Sequence, residues 1–169
     1  MKQISIEQAA MRIAQALPGD GAFLCVGGKR PNTMTIGWGG LTYFWGKHVF
    51  LAPVRPQRFT HPLLEQEGEF TVCVPAPGEM RKALAQAGTL SGRDGDKFAA
   101  IGLETLPGRA VNAPVIRGCA LYLECRVLAR TAFTGEGTDD EVAARAYPQD
   151  DFHTLFFGEV IACYAGENV

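Results

Sequence analysis

The chain has 169 residues, of which 47% are hydrophobic and 20% charged, and its formal net charge is −2. This is the balance of a single globular domain over residues 1–169, which can bury roughly two-thirds of its unfolded surface. No Lys/Arg-rich tract indicates a nucleic-acid binder, and neither a bilayer-spanning run of roughly 20 apolar residues nor a basic amphipathic segment indicates a membrane protein.

Two features of the sequence favour the cytoplasm. The 5 cysteines are odd in number, widely spaced and without a CxxC pair, which is typical of reduced, buried thiols. The N-terminal segment carries Glu7, Gln8 and Arg12 inside its apolar pattern, so it lacks the h-region of a secretory signal. We therefore expect a cytoplasmic protein.

The first half of the chain alternates helical and strand patterns. Ser5 and Gln8 form a capping-box pattern before a helix that ends at Pro18-Gly19. Strands are predicted over 22–26, 34–38, 49–54 and 70–74. A short helix precedes the last of these strands, and we expect Thr60 to cap it and Gly68 to end it.

The second half contains helical pieces and two long strands. An amphipathic helix is predicted from Met80, with Gly88 as its stop, and a short helical piece covers 94–101, with Ser91 or Asp94 as its cap. Strands are predicted over 119–131 and 152–163, the latter apolar on both faces. The acidic segment 134–150 between them is predicted to be a loop with a helical turn at 141–145.

The six or seven predicted strands indicate a mainly β fold with peripheral helices. Strands and helices do not alternate regularly, which argues against a doubly wound parallel sheet. We expect an antiparallel closed barrel, because closure removes the exposed edges of long apolar strands. One face of the final strand would then line the barrel, and the other would lie under a helix or a partner subunit.

The segment Arg55-Pro56-Gln57-Arg58-Phe59-Thr60 lies between a predicted strand and a predicted helix. Free backbone N–H groups at such a turn favour an anion, and two guanidinium groups with a hydroxyl suit a phosphate. A solvated polar turn is the alternative interpretation. The segment thus predicts a phosphate site only in combination with other segments.

Three further features accompany that turn. Small and hydroxylated residues over 32–38 would let a flat ligand approach the backbone, although this stretch also fits a plain strand with a core Trp38. The turn 91–98 carries Arg93 and Lys97, which either face a ligand or pair with neighbouring aspartates. His153 begins the final strand on an apolar face, either as a core histidine or beside a cofactor.

Several common motifs are absent from the sequence. It has no GxGxxG after a strand, no GxxxxGK[ST], no GxSxG and no HExxH, and its 3 histidines are dispersed. These absences argue against a Rossmann site, a P-loop, a nucleophile elbow and a zinc site, and no metal is expected.

Taken in order, these segments resemble the flavin reductase-like family, whose FMN-binding split barrel includes the flavoredoxins. The matching segments are 32–38, 49–53, 58–60, 68–75, 91–98, 113–115, 123–125 and 153–160. The resemblance runs from about residue 20 to residue 164. The lead-in Arg55-Pro56 and the acidic segment 134–150 depart from the family pattern.

The resemblance implies a homodimer with FMN near the subunit boundary. The residues implied along the isoalloxazine ring and ribityl chain are Asn32, Met34, Thr35, Ile36, Gly37 and Trp38. Those implied at the 5′-phosphate are Arg55, Arg58, Phe59 and Thr60, with Ser91, Arg93 and Lys97 as a second polar element. His153 is the implied catalytic residue, close to the flavin or the incoming nicotinamide.

We therefore expect an FMN-dependent oxidoreductase in which NADH or NADPH reduces the flavin. Electrons would pass to a further acceptor, either a small molecule or an acceptor protein, and the redox chemistry belongs to the cofactor. An FMN-binding electron carrier or sensor without its own NAD(P)H reaction is the first alternative. A haem- or ligand-binding barrel, or a structural interaction domain, is the second.

Overall fold

The computed structural model describes residues 1–166, in which no helix is long and apolar enough to cross a membrane. The helices are α1 (Ile6–Ala16), α2 (Thr60–Glu67), α3 (Arg81–Thr89), α4 (Lys97–Ile101) and α5 (Asp140–Ala146). The strands are β1 (Lys2–Gln3), β2 (Ala22–Val26), β3 (Asn32–Ile36), β4 (Gly40–Phe44), β5 (Lys47–Val54), β6 (Glu69–Val74), β7 (Thr105–Leu106), β8 (Val115–Ile116), β9 (Leu121–Ala132) and β10 (Thr154–Ala165).

An 8-stranded antiparallel sheet dominates the molecule. Its strand order is β3-β2-β6-β9-β10-β5-β4, with β1 added beside β10. The two longest strands, β9 and β10, pair with each other at the centre, and β7 and β8 form a separate 2-stranded sheet. The prediction of a mainly β fold with peripheral helices is therefore confirmed.

The two ends of this sheet, β3 and β4, are not paired with each other within residues 1–166, so strand pairing does not close a barrel there. The sheet must nevertheless curl. Residues 37–39 connect β3 to β4 directly, and such a link spans roughly 14 Å when fully extended. The end strands of a flat seven-strand path would lie about 29 Å apart. Curling therefore brings the end of β3 close to the start of β4.

Two hydrophobic clusters explain why the strands are apolar on both faces. In β2, Leu24 and Val26 belong to one cluster, whereas Phe23 and Cys25 belong to the other. The first cluster also receives Ile13 from α1, and the second is completed by α3, α4 and β8. Both faces are thus covered, as side chains that alternate along a strand require.

All 5 cysteines are buried and unpaired. Burial raises the pKa of Cys119 and of Cys125, and it raises the pKa of Cys163 to about 11. Burial likewise raises the pKa of Cys73, which lies near Cys25. These four thiols are therefore protonated and unreactive in the folded chain, and Cys25 is buried beside Cys73.

The helix ends agree with the sequence at α1 and differ elsewhere. The capping box is confirmed, with the amide of Gln8 donating to Ser5 Oγ and the amide of Ser5 donating to Gln8 Oε1. Gly68 ends α2 in the left-handed conformation, as predicted. Thr60, however, does not cap α2, because its hydroxyl accepts a hydrogen bond from the side chain of Asn32.

Two further predictions about helix ends are wrong. Gly88 lies inside α3 rather than after it, and a Cβ at this position would make only an ordinary van der Waals contact, 3.6 Å from Thr35 of β3. The cap of α4 is Asp96, not Ser91 or Asp94, since the Asp96 carboxylate accepts hydrogen bonds from the amides at 98 and 99.

Candidate functional site

Two adjoining cavities lie where the end of β3, the turn after β5, the turn before α4 and the start of β10 meet. The first has a volume of about 190 Å³ and is lined by Met34, Thr35, Ile36, Gly37, Trp38, Pro53, Arg55, Arg58 and His153. The second has a volume of about 340 Å³ and is lined by Asn32, Met34, Arg55, Gln57, Arg58, Phe59, Thr60, Thr89, Leu90, Ser91, Gly92, Arg93, Lys97 and Asp151. Every residue that the sequence predicted for the site thus lines one or both of the cavities.

The wall that β3 contributes contains a buried amide with one unsatisfied atom. Asn32 is 2% exposed, and its Nδ2 donates to Thr60 Oγ1 over 2.8 Å, while its Oδ1 has no partner among the described residues. Leaving such a group unpaired costs about 1–3 kcal/mol. A bound polar ligand would remove that cost, so this residue fits a ligand-binding wall.

Position 92 must be a glycine, because there is no space for a side chain between it and Asn32. A Cβ there would lie 2.4 Å from Asn32 Oδ1 and 2.5 Å from the ring of Phe59. The turn is held from outside by Arg30, whose Nη2 donates to the carbonyl of Gly92 over 2.9 Å and whose guanidinium lies 5.0 Å from the Phe59 ring centre. Close approach between this turn and β3 therefore shapes the second cavity.

Three cations surround the second cavity without a carboxylate partner among residues 1–166. Arg58 donates to the carbonyl of Gly88 over 2.8 Å, Arg93 donates to that of Gln57 over 3.1 Å, and Lys97 donates to that of Ala87 over 2.6 Å. The alternative in which Arg93 and Lys97 pair with neighbouring aspartates is wrong for the described residues, because both side chains donate to these backbone carbonyls instead. Positive charge is therefore uncompensated at this cavity, which favours an anion.

Lys97 is the most buried of these cations, with 4% of its surface exposed. Burial, and then repulsion from the Arg58 guanidinium, lower its pKa from 10.5 to about 8. An anion in the second cavity would favour the charged ammonium group and raise this pKa again.

Arg55 lines both cavities, but its guanidinium is bound elsewhere. Nη1 donates to the carbonyl of Asp151 over 3.0 Å and Nη2 donates to that of Ala146 over 2.9 Å. The same group forms an ion pair with the Asp151 carboxylate and lies 5.2 Å from the Tyr147 ring centre. Arg55 therefore fastens the acidic segment to the site, which leaves Arg58 as the arginine of this turn that can meet an anion.

His153 lies just before β10 and lines the first cavity. Burial, and then the positive charge of Arg55, lower its pKa to about 4. The imidazole is neutral near pH 7 and can form hydrogen bonds, but it does not provide a fixed positive charge.

Trp38 follows β3 and is 50% exposed, so the interpretation as a core tryptophan in that strand is wrong. Its ring lies 5.1 Å from the His153 ring and 6.3 Å from the Tyr147 ring. An indole at the mouth of the first cavity offers a surface for a planar ligand.

Sequence reasoning missed several residues of these walls, namely Pro53, Gln57, Thr89, Leu90, Gly92 and Asp151. Most of them adjoin residues that were found, so the motifs could have been extended by one or two positions. Tyr147 carried no signal, because it lies in an irregular segment whose folding back onto His153 depends on tertiary contacts. Among the described residues, no cluster of His, Cys, Asp or Glu is arranged to hold a metal ion.

A family model described as the flavin reductase-like domain matches residues 20–169. The chain therefore belongs to the flavin reductase-like family, and the resemblance recognised from its motifs is confirmed.

Related sequences and solved structures agree with this assignment. A protein of Archaeoglobus fulgidus is 33% identical over 146 residues, with 86% of this chain and 72% of the relative covered. YddH of Escherichia coli is 28% identical, with 83% of this chain and 66% of that protein covered. The flavoredoxin of Methanosarcina acetivorans superimposes with a TM-score of 0.69 at 27% identity, over 87% of this chain and 68% of the other. The flavoredoxin of Desulfovibrio vulgaris superimposes with a TM-score of 0.70 at 23% identity, over 88% of this chain and 70% of the other.

Proposed function

We propose that this chain is an FMN-dependent oxidoreductase that accepts hydride from NADH or NADPH and passes electrons to a further acceptor. One observation carries the proposal: three cations without carboxylate partners among residues 1–166 surround the second cavity, beside the β3 residues Asn32 and Met34. Membership of the flavin reductase-like family supports the choice of a flavin as the ligand.

In this proposal the second cavity holds the phosphate of FMN. Arg58, Arg93 and Lys97 provide the positive charge that a phosphate with nearly two negative charges requires. The hydroxyl of Ser91 accepts from the amide of Arg93 over 3.2 Å and keeps its own hydrogen free for a phosphate oxygen. The amide of Asn32 has an unpaired atom for a polar group of the cofactor.

The first cavity would hold the ring system. The strand end at 34–38 brings backbone groups and the indole of Trp38 to one wall, and His153 lines the cavity beside that indole. When bound, FMN supplies a two-electron acceptor for hydride from a nicotinamide. The neutral His153 would orient the incoming nicotinamide by a hydrogen bond, without proton transfer.

We also propose a split-barrel architecture, a homodimer and a cytoplasmic location. The short link between the two end strands supports the curled sheet. The buried, unpaired thiols are in keeping with a reducing compartment. The homodimer is supported by exposed aromatic side chains at the β4–β5 hairpin, of which Trp45 is 59% and Tyr43 66% exposed.

The test is a titration with FMN and riboflavin, followed by rapid mixing with NADH or NADPH. We expect Arg58→Ala to weaken FMN binding by about 2–3 kcal/mol, because a buried phosphate loses a charged partner. Riboflavin lacks the phosphate, so its affinity should be the same for wild type and variant. Equal losses for the two ligands would contradict the phosphate assignment, and absence of FMN binding to the wild type would contradict the whole proposal.

Rapid mixing then separates the enzyme from the alternative function. Bleaching of the bound flavin by NADH or NADPH is the expected result for the oxidoreductase. Flavin that stays oxidised would instead favour an electron carrier or sensor, an alternative that the similarity to the Methanosarcina acetivorans flavoredoxin at 27% identity supports.

A further inference from the structure

The acidic segment between β9 and β10 is packed against the site rather than held away from it. Its two ends meet where the amide of Phe133 donates to the carbonyl of His153 over 2.9 Å. Within it, the Tyr147 ring lies 4.5 Å from the Phe152 ring, and Arg55 binds the carbonyl of Ala146 over 2.9 Å. The segment therefore places Tyr147, which directly follows α5, at a defined position.

That position brings the Tyr147 hydroxyl within 3.0 Å of His153 Nδ1. In a neutral imidazole one nitrogen carries hydrogen and the other accepts a hydrogen bond. A neutral imidazole nitrogen accepts more strongly than a phenol oxygen, so the favourable arrangement is donation from the hydroxyl to Nδ1. The imidazole hydrogen then lies on Nε2.

The charged groups around this pair favour the neutral ring. Arg55 and Arg58 both disfavour an imidazolium at position 153, while Asp151 partly opposes them. The Asp151 carboxylate is itself engaged by Arg55 and by Gln57, whose Nε2 donates to it over 2.8 Å. With its charge fixed at zero, the property of His153 that can still vary is which nitrogen carries the hydrogen.

We propose that Tyr147 is a positioning residue whose hydroxyl donates to Nδ1 of His153 and so fixes the tautomer with hydrogen on Nε2. No residue within 1–166 forms a hydrogen bond with that nitrogen, and the ring lines the first cavity. His153 is thereby a donor that selects ligands with an acceptor oxygen, such as the carboxamide of a nicotinamide. This selectivity rests on the proposed function, whereas the tautomer does not.

The tautomer can be measured without any ligand. The ring nitrogens of histidine are labelled with ¹⁵N in the FMN-free protein, and the His153 signals are assigned by their loss in His153→Gln. We expect wild type to show hydrogen on Nε2 and a hydrogen-bonded Nδ1. Tyr147→Phe should remove the hydrogen-bond shift of Nδ1 and give a mixture of tautomers, because only the hydroxyl is lost and the ring packing is kept.

Tyr43→Phe is the matched control, because it removes a hydroxyl from an exposed tyrosine whose ring lies 5.4 Å from a different histidine, His48. It should leave the His153 signals as in wild type. Hydrogen on Nδ1 in the wild type would overturn the proposal, as would an Nδ1 signal that is the same in wild type and Tyr147→Phe.

A kinetic measurement separates this proposal from the function on which its selectivity rests. FMN affinity should be equal in wild type and Tyr147→Phe, while KM for the nicotinamide should rise about fivefold, the value of one neutral hydrogen bond. An unchanged KM together with a changed tautomer would overturn the selectivity. If wild type lacked the nicotinamide reaction altogether, the proposed function would fail, and the ¹⁵N result would still decide the tautomer.

Discussion

Lys97 is a buried ammonium group whose charge depends on the contents of the second cavity. Its pKa is lowered to about 8 by burial and by Arg58, so the folded, ligand-free chain loses this charge as the pH rises through 8. A phosphate dianion binds more tightly when the Lys97 ammonium group is protonated. Above pH 8, phosphate binding must therefore be accompanied by proton uptake at Lys97. We expect FMN affinity to be constant from pH 7 to 7.5 and to fall by up to about tenfold for each pH unit above 8.

The measurement is the Kd of FMN across that pH range, with riboflavin as the ligand control. Lys97→Met should bind FMN more weakly at pH 7 and should lack the decline above pH 8. Riboflavin affinity should show no such decline in either protein. If the FMN affinity of Lys97→Met fell by the same amount above pH 8, a group other than Lys97 would be responsible for the pH dependence.

Glu124 illustrates a buried charge with a structural task. It is fully buried, and its carboxylate accepts hydrogen bonds from the amides of Arg109, Ala110 and Val111 and from the hydroxyl of Tyr164 over 2.6–3.1 Å. Glu124→Gln would turn an amide donor toward these donors and leave at least one of them unpaired. We expect a loss of about 2–4 kcal/mol in the free energy of unfolding, measured by urea denaturation.

Glu104→Gln is the matched control for that substitution. Glu104 pairs with Arg117 over 2.8 Å at the surface, where its side chain is 67% exposed. Such exposed pairs contribute little, so the expected change is below about 1 kcal/mol. If Glu124→Gln and Glu104→Gln unfolded at the same urea concentration, the buried carboxylate would not be what holds the loop at 109–111.

At the scale of elements, Arg55 connects the turn after β5 to the segment that contains α5. Removing its guanidinium in Arg55→Met deletes the bonds to Ala146 and Asp151. We expect amide hydrogen exchange to become faster over 139–151, because the bond from Gln57 to Asp151 is then the remaining described hydrogen bond between the β5 turn and this segment. The affinity for FMN should fall less than in Arg58→Ala, since the Arg55 donors are already engaged.

The control is Arg130→Met, which removes a surface guanidinium that pairs with Glu65 over 3.1 Å on a different face. Exchange over 139–151 should remain as in wild type. A larger loss of FMN affinity in Arg55→Met than in Arg58→Ala would reverse the assignment of the two arginines.

The regular elements could be predicted because their pattern is local. The apolar strand at 22–26 and the capping box of α1 depend on neighbouring residues, and both predictions were correct. The role of Gly88 and the cap of α4 were not predictable in the same way. Gly88 is accommodated in the last turn of α3, and three carboxyl or hydroxyl side chains stand near the start of α4, of which Asp96 forms the cap.

β4 was missed for a related reason. It is an edge strand whose side chains are intermediate or exposed, so no buried face generates an alternating pattern. The site itself was found from motifs in chain order, which grouped residues distant in sequence. The sequence could not show that Arg55 binds the segment 139–151 while Arg58 faces the cavity. That difference depends on where the segment folds back onto the site.

At the scale of the whole molecule, an aromatic patch is formed by exposed Phe44 and Trp45 together with half-buried Phe157. The rings of Phe44 and Trp45 lie 5.4 Å apart, and each lies within 6 Å of Phe157 at 5.7 and 5.6 Å. We expect this patch to be covered by a second copy of the chain. Phe44→Glu should therefore shift the molecular mass in solution from dimer to monomer, as measured by light scattering after size-exclusion chromatography.

Val142→Glu is the control for this substitution, because Val142 is 42% exposed on α5, similar to Phe44 at 43%. The control should keep the mass of the wild type. A dimer that survived Phe44→Glu would place the subunit contact on another surface.

The burial of every thiol has a practical consequence. A dye that labels cysteines can react with this chain only after the fold opens, since the buried positions protect all five sulfur atoms. The labelling rate therefore reports how often the molecule opens. Any small molecule that binds only the folded form must slow that rate in proportion to its occupancy, so candidate cofactors can be ranked on the unmodified protein without a coloured or catalytic readout.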